Sequence, residues 1–331
     1  MEYPIDIVIP WVDGNDPNWK AERNLFTAQK SADDNDCRYR TWDTFKYWFR
    51  SIEKNAPWVR KIHFLTWGHI PQWLNTNNSK LNIVNHSDFI PKEYLPTFSS
   101  HVIELNLHNI PDLSEHFIYF NDDVYLNKNT KPEDFFVDGI PKDSAILGVI
   151  KNNDTENFMP YIMLNMMAII NMKFKKNSII KTNISKWLNP KYGKYFLNNL
   201  YLLPFGCFTG FRNFHSTTSF CKQTIIDVWN EIPDILHEVC THKFRDKADI
   251  NQYLFRYWQI VTGNFIPEKP SSKYFTIGKV NHDKLRKIIL NQTCKVICIN
   301  DDPGDFDFSE EETFINSLFE KKYNNKSSFE L

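Results

Sequence analysis

Phe117-Ile118-Tyr119-Phe120-Asn121-Asp122-Asp123-Val124-Tyr125-Leu126 is the stretch on which the fold turns. A short apolar run ends abruptly in two adjacent carboxylates, as a buried strand does when it reaches the carboxyl edge of a sheet. Open α/β sheets bind their ligands at that edge. Hard oxygen ligands there suit Mg²⁺ or Mn²⁺ bridging a nucleotide diphosphate. The same residues also suit a strand followed by a plain Asn-Asp turn, because both side chains bond their own backbone. The rest of the chain tips the balance toward the metal-diphosphate reading.

Working outward, residues 5–12 form a near-continuous apolar run of strand length, broken by Asp13-Gly14-Asn15-Asp16-Pro17. Such a run suits a parallel strand covered on both faces. Residues 42–54 carry Phe45, Trp48, Phe49 and Ile52 at helical spacing, and Asn55-Ala56-Pro57 ends that helix. Residues 62–67 and 81–84 read as strands, and residues 100–109 as a helix leading to the Phe117 strand. The alternation predicts an α/β fold with a mainly parallel sheet over residues 1–150. Residues 151–265 read as helix-rich, with helices over 161–173, 220–238 and 247–262. Residues 266–331 contain strand-like pieces at 275–277 and 296–299, the latter running into Asn300-Asp301-Asp302, and are expected to return to the first sheet. Residues 321–331 are polar and predicted to fray. The Asn/Lys-rich stretches near 75–80, 175–200 and 322–327 read as solvated loops.

Composition narrows the function. A chain of 331 residues with 42% hydrophobic and 15% aromatic content can bury a sizeable core. Thirty-nine basic against 40 acidic residues leave a formal charge of −1, so no summed field favours nucleic acid or an anionic membrane. Any anion must be held locally. The start Met1-Glu2-Tyr3-Pro4-Ile5-Asp6 has no basic n-region of a signal peptide, and no apolar run approaches the roughly 20 residues of a membrane span. Six cysteines (37, 207, 221, 240, 294 and 298) form no CxxC pair or zinc spacing and read as free thiols of a reducing cytoplasm.

Three further constellations could carry chemistry. Trp11-Val12-Asp13-Gly14-Asn15-Asp16-Pro17 could bring backbone amides and carboxylates to a ribose or phosphate, or be an ordinary turn. In Phe98-Ser99-Ser100-His101-Val102-Ile103-Glu104, Ser99 or Ser100 can cap a helix whose start would also suit an anion, with Glu104 one turn in. Finally, His215 and the run Thr241-His242-Lys243-Phe244-Arg245-Asp246-Lys247-Ala248-Asp249 offer an imidazole and a planar cationic fork. A packed histidine and an Arg245–Asp249 surface pair are the structural alternatives. An Asp pair, a His and an Arg are the parts of phosphoryl transfer: metal clamp, proton acceptor and charge stabiliser.

Four blocks carry a family resemblance: Ile5 through Pro17; Arg38 to about Gly139, with Phe49-Arg50-Ser51-Ile52-Glu53-Lys54-Asn55-Ala56-Pro57-Trp58-Val59-Arg60 and Ile70-Pro71-Gln72-Trp73-Leu74-Asn75; His215 to Gly263; and Cys298-Ile299-Asn300-Asp301. They cover about half the chain. On these blocks the sequence resembles the Stealth proteins, hexose-1-phosphate transferases of bacterial capsule synthesis. The same blocks are similar to the catalytic core of the animal N-acetylglucosamine-1-phosphotransferase that tags lysosomal enzymes. The resemblance implies a glycosyltransferase-like (GT-A/Rossmann-like) α/β fold, a UDP-sugar donor, a divalent metal (Mg²⁺ or Mn²⁺) and a glycan acceptor. It implies attack on the β-phosphorus, release of UMP and transfer of hexose-1-phosphate, N-acetylglucosamine-1-phosphate by default, in a phosphodiester. Asp122, Asp123 and Asp301 would hold the metal, with Asp123 also counted as catalytic. Arg245 would neutralise phosphoryl charge, His215 accept the proton, and Asp249 orient Arg245 or the acceptor. Trp11, Asp13, Gly14, Asp16, Arg40, Ser100 and Glu104 would line the donor pocket. No nucleic-acid partner is expected; the protein would be cytoplasmic, a placement that allows peripheral association with a capsule complex at the membrane's inner face. The rival readings are a metal-dependent sugar transferase releasing UDP, and a non-catalytic carbohydrate-binding scaffold whose aromatics are stacking platforms. Two departures stand out: Ser216-Thr217-Thr218 follows His215 where the family often has a proline, and residues 151–205 match none of the blocks.

Overall fold

The computed structural model describes residues 3–26, 39, 40, 42–301 and 306–331; Met1, Glu2, Cys37, Arg38 and Asp302 lie outside the described residues. The chain opens with β1 (Ile5–Pro10), α1 (Pro17–Leu25), α2 (Phe45–Asn55), β2 (Ile62–Thr66), β3 (Leu81–Asn85), α3 (His86–Phe89), α4 (Ser100–Leu105) and β4 (His116–Tyr119). Short strands β5 (Val124–Leu126), β6 (Phe136–Val137) and β7 (Ile140–Asp143) follow. A helical excursion runs through α5 (Met159–Lys173), α6 (Lys176–Thr182), α7 (Ile184–Trp187) and α8 (Phe196–Leu202) before β8 (Thr218–Cys221). The remainder is α9 (Lys222–Glu231), α10 (Pro233–Cys240), α11 (Tyr253–Val261), β9 (Ile266–Pro267), β10 (Ser272–Thr276), α12 (His282–Leu290), β11 (Val296–Asn300) and α13 (Phe308–Lys322).

The central sheet has the order β3-β2-β1-β4-β8, with the first four strands parallel and β8 antiparallel to β4. The strand order therefore reverses between β1 and β4, and the crevice outside the carboxyl ends of those strands is where such sheets bind ligands. Side chains alternate across the sheet with a period of two. Ile5, Ile7, Ile9, Phe64 and Ile118 enter one apolar layer with α2, α12 and α13, while Val8, Leu65, Phe117 and Tyr119 enter the other with α4, α5 and α9 to α11. Burial on both faces is why these strands read as continuous apolar runs.

Three sequence expectations are corrected. The predicted 220–238 helix is a strand followed by two helices, because Phe220 pairs with Phe117 at the sheet edge and Pro233 can only start a new helix. The pieces at 275–277 and 296–299 do not return to the first sheet. They form a second sheet, β10-β11-β5, since β4 already has neighbours on both sides and the chain turns away at Asp122-Asp123 to offer β5 instead. The tail does not fray either. Arg50 forks onto Glu330 (Nε to Oε1 2.8 Å, Nη2 to Oε2 2.7 Å), and Phe329 packs into the layer with α2. Among the described residues the five cysteines are free, and no helix is long and apolar enough to cross a membrane.

At the edge of the sheet away from the crevice, Asp6 is wholly buried and ties three segments together. It accepts from Arg60 (2.8 and 2.6 Å) and the Ser114 amide (2.8 Å), and pairs with His63 Nε2 (2.9 Å). Burial pushes its carboxyl up, but the bonds from His63, Arg60 and Ser114 more than offset this and hold it below the ordinary carboxylate range. A depressed acid contributes stability that is complete above its unfolded value and lost as pH falls through its folded value. Asp6→Asn is therefore expected to cost about 3–5 kcal/mol at neutral pH, because Arg60 and His63 lose a buried partner. It should also flatten the acid limb of a stability-pH profile measured by urea unfolding; an unchanged acid limb would remove Asp6 from this role.

Candidate active site at the joint of the two sheets

β4 ends at Tyr119, and the chain reverses through Asn121-Asp122-Asp123, with the Val124 amide bonded to the Asn121 carbonyl (3.1 Å). The Asp123 carbonyl accepts from the Ile299 amide (2.9 Å), which starts the β5–β11 pairing. The two carboxylates thus stand where the central sheet hands the chain to the second one. Asp123 Oδ2 accepts from Cys298 Sγ (3.1 Å), while its buried Oδ1 has no partner. Burial first, and then the neighbouring Asp122 charge, push Asp123 up to about 7. Burial raises Asp122 too, partly offset by the Asp122 and Asp123 backbone amides and then by Arg245, although the residue is exposed at the cavity. Burial and the Asp123 charge keep the Cys298 thiol protonated, so it serves as a donor.

A cavity of about 830 Å³ opens over this turn, and every site residue predicted from the sequence lines it except Gly14 and Asp249. Arg245 donates from Nη2 to Ser100 Oγ (2.7 Å), the first residue of α4. The expected serine cap is absent: α4 begins without a side-chain cap bond, and Ser99 Oγ is buried without a partner. Glu104 braces the cavity wall by accepting from Tyr119 Oη (3.2 Å) and the Gln252 amide (3.1 Å). Trp11 stacks on Phe45 (5.7 Å) and meets His69 edge-on (5.2 Å). Asp13 accepts from the Asn15 amide (2.8 Å), and its own amide donates to His69 Nε2 (2.8 Å). Asp16 caps α1 through the Asn18 and Trp19 amides (2.8 and 2.9 Å).

The structure revises two assignments, Gly14 and Asp249, and gives two others, Asp301 and Arg40, partners within the protein. Gly14 makes room for protein: a Cβ there would lie 2.1 Å from the Tyr39 carbonyl oxygen, so the glycine admits Tyr39, and it does not line the cavity. Asp301, assigned to metal, and Arg40, assigned to the donor, grip each other through Nε to Oδ2 (2.9 Å) and Nη2 to Oδ1 (2.7 Å), with Trp42 Nε1 adding a third bond (3.0 Å). Asp249 is fully buried and so reaches no acceptor; it accepts from His101 Nδ1 (2.8 Å), the Asp246 amide (2.9 Å) and His242 Nδ1 (2.6 Å). Burial raises its carboxyl, the two imidazole bonds lower it, and the net shift is downward; the same bond raises His242. Asp249 is a positioning residue for His101, which does line the cavity.

His215 adopts φ +44°, in the left-handed region that non-glycine side chains rarely enter and that recurs at functional sites. Burial lowers its pKa, so the ring is neutral at pH 7. Donor atoms of Asp123, His215 and Cys298 lie within 4.8 Å of one another. Sequence reasoning missed Cys298 and attached no chemistry to His101, although both stand in quoted blocks. The unpartnered Asp123 oxygen and the adjacent Asp122 carboxylate fit an oxygen-seeking divalent ion. Millimolar Mn²⁺ or Mg²⁺ is accordingly expected to raise the melting temperature of the wild-type protein, and Asp123→Asn to remove most of that shift. An undiminished shift in Asp123→Asn would place the ion elsewhere.

Family models for Stealth protein CR1, conserved region 1, and Stealth protein CR2, conserved region 2, match residues 3–31 and 38–143. A capsular polysaccharide phosphotransferase WcwK of Streptococcus pneumoniae is 42% identical over 98% of this chain and 98% of its own length. The exopolysaccharide phosphotransferase cps2G of Lactiplantibacillus plantarum is 38% identical over 99% and 96%. Among solved structures, the galactosyltransferase LgtC aligns over 96% of this chain and 95% of its own at 12% identity, with a TM-score of 0.38, a superposition too loose to carry weight. With relatives this similar along nearly its whole length, the chain belongs to the Stealth family, alongside the capsular and exopolysaccharide phosphotransferases.

Proposed function

We propose that this protein is a capsular polysaccharide phosphotransferase that moves hexose-1-phosphate, N-acetylglucosamine-1-phosphate by default, from a UDP-sugar to a glycan hydroxyl and releases UMP. The observation that carries the reading is the meeting of Asp122, Asp123, Arg245 and His215 around one cavity. The printed functions of the relatives support the phosphotransferase class.

Asp122 and Asp123 would hold a divalent ion, which when bound offsets the diphosphate charge and makes the phosphorus more electrophilic. Arg245, steadied by Ser100, turns its fork toward phosphoryl oxygens, where charge accumulates as the bonds change. His215, neutral because it is buried, accepts the proton of the acceptor hydroxyl. The acceptor oxygen forms a bond to the β-phosphorus while the bond from the β-phosphorus to the bridging oxygen breaks, and that oxygen leaves with the electron pair as part of UMP. The sugar C1–O bond is never touched, so the anomeric configuration is retained without a glycosyl-enzyme intermediate, unlike carboxylate-pair chemistry at carbon. Asp249 acts at one remove, by holding His101.

Incubation with a panel of UDP-hexoses, Mg²⁺ and short capsule oligosaccharides, followed by ³¹P NMR, tests the reaction. A phosphodiester resonance with release of UMP is expected; release of UDP would establish glycosyl transfer instead. His215→Ala should lower turnover by about 10²–10⁴-fold. Arg245→Ala should lower it by on the order of 10³-fold. Near-normal turnover in either variant removes that residue from the mechanism.

A further inference from the structure

Residues 157–226 contain no Asp or Glu, yet they carry seven lysines from Lys173 to Lys194, then Arg212 and Lys222. The chain as a whole is at −1, so this basic stretch faces a net acidic remainder. Exposed apolar side chains gather in the same stretch: seven of the twelve large ones found among the described residues lie between Leu164 and Phe205. The Lys-rich part reads from sequence as a solvated loop, but the structure makes it a set of packed helices with a defined outer face.

α8 shows that face most clearly. Leu197, Leu200 and Tyr201, spaced i, i+3 and i+4, are 50%, 40% and 75% exposed. The buried residue of the helix is Asn199, whose side chain accepts from the Leu147 amide (2.7 Å) and donates to the Ala145 and Trp187 carbonyls (2.7 and 2.6 Å). Leu202 packs against the core at the end of the helix, but the fully buried side chain is an amide while three large apolar ones face outward, unlike a helix that shows water only polar groups. The patch extends in a fixed arrangement. Lys176 Nζ donates to the Leu202 and Phe205 carbonyls (2.5 and 2.6 Å), anchoring exposed Phe205 against α6. Asn171 and Phe208 clasp each other (2.9 and 2.8 Å), bringing the end of α5 with exposed Met172 alongside. Lys175, Lys181 and Lys194 are exposed on the same excursion.

We infer that α8 and Phe205, with these lysines, dock the protein peripherally on an anionic membrane surface. Aliphatic and aromatic side chains interleaved with lysines are what the boundary between headgroups and acyl chains selects. A polyanionic glycan would satisfy the lysines but give Leu197, Leu200 and Phe205 nothing apolar to cover. The excursion also reaches the catalytic cavity. Met159, at the start of α5, lines that cavity, and Arg212 stacks on Tyr195 (4.5 Å) three residues before His215. Docking by this face would therefore bring the cavity to acceptors tethered to the same surface; the docking itself does not depend on the reaction proposed above.

Flotation of the full chain with vesicles tests this. Wild-type protein should float with phosphatidylglycerol/phosphatidylcholine vesicles, should not float with phosphatidylcholine alone, and should be released by high salt. Leu200→Gln with Phe205→Gln, and separately Lys175→Gln with Lys194→Gln, should each weaken binding by about tenfold or more while leaving thermal unfolding unchanged, since all four side chains are exposed. No flotation of the wild type, or equal flotation of both variants, overturns the inference. So does binding to soluble polyphosphate that matches binding to vesicles and is indifferent to Leu200→Gln with Phe205→Gln. A dimer in light scattering that the same pair abolishes would assign the face to a second copy of the chain, and would equally overturn it.

Discussion

Two adjacent carboxylates at the joint of two sheets, with too little positive charge around them, are the constraint that organises this molecule. A strand and a reversal place Asp122 and Asp123 together, and burial raises the cost of ionising both. Much of the cavity answers that problem. Cys298 stays protonated and lends a donor, Arg245 leans in from Ser100, and His215 holds a strained backbone angle beside Asp123. One buried oxygen of Asp123 is still left without a partner. That oxygen is the one the proposed divalent ion would take up, and the ion's charge would offset both carboxylates.

The other end of the same sheet solves its electrostatics fully. Asp6 is more deeply buried than Asp123, yet Arg60, His63 and Ser114 give its oxygens partners, and its carboxyl falls below the ordinary range instead of rising. One acid fastens strands together, while the other keeps an oxygen without a partner. The contrast follows the sheet's polarity: connections at one edge are held closed so that loops at the other can converge on a ligand.

The second sheet and the tail serve the same end. Because β11 pairs with β5 and not with the central sheet, Cys298 lands opposite Val124 and within reach of Asp123. Asp301, two residues beyond Ile299, is thereby brought to Arg40, forming a charged clasp across the cavity wall. Arg50 and Glu330 lock the last residues against α2, which keeps that layer rigid behind the site. On the opposite layer, Asp249 holds His101 and His242 in one buried group behind Ser100 and Arg245.

What the sequence by itself determined is whatever depends on near neighbours. Short apolar runs mark β1, β2 and β4, and helical spacing marks α2 and α5. The apolar run ending in Asp122-Asp123 marks the rim, and the family blocks assemble most of the residues that line the cavity. What only the tertiary structure decided is who partners whom. Asp249 chooses His101, 148 residues away; Asp301 chooses Arg40 across 261; Cys298 reaches Asp123 across 175; and Gly14 yields its space to Tyr39. Helix and strand preferences arise within a few residues and leave a periodic trace in the chain. A carboxylate's partner is set by which segments the packed layers bring within about 3 Å, and no local pattern records that choice.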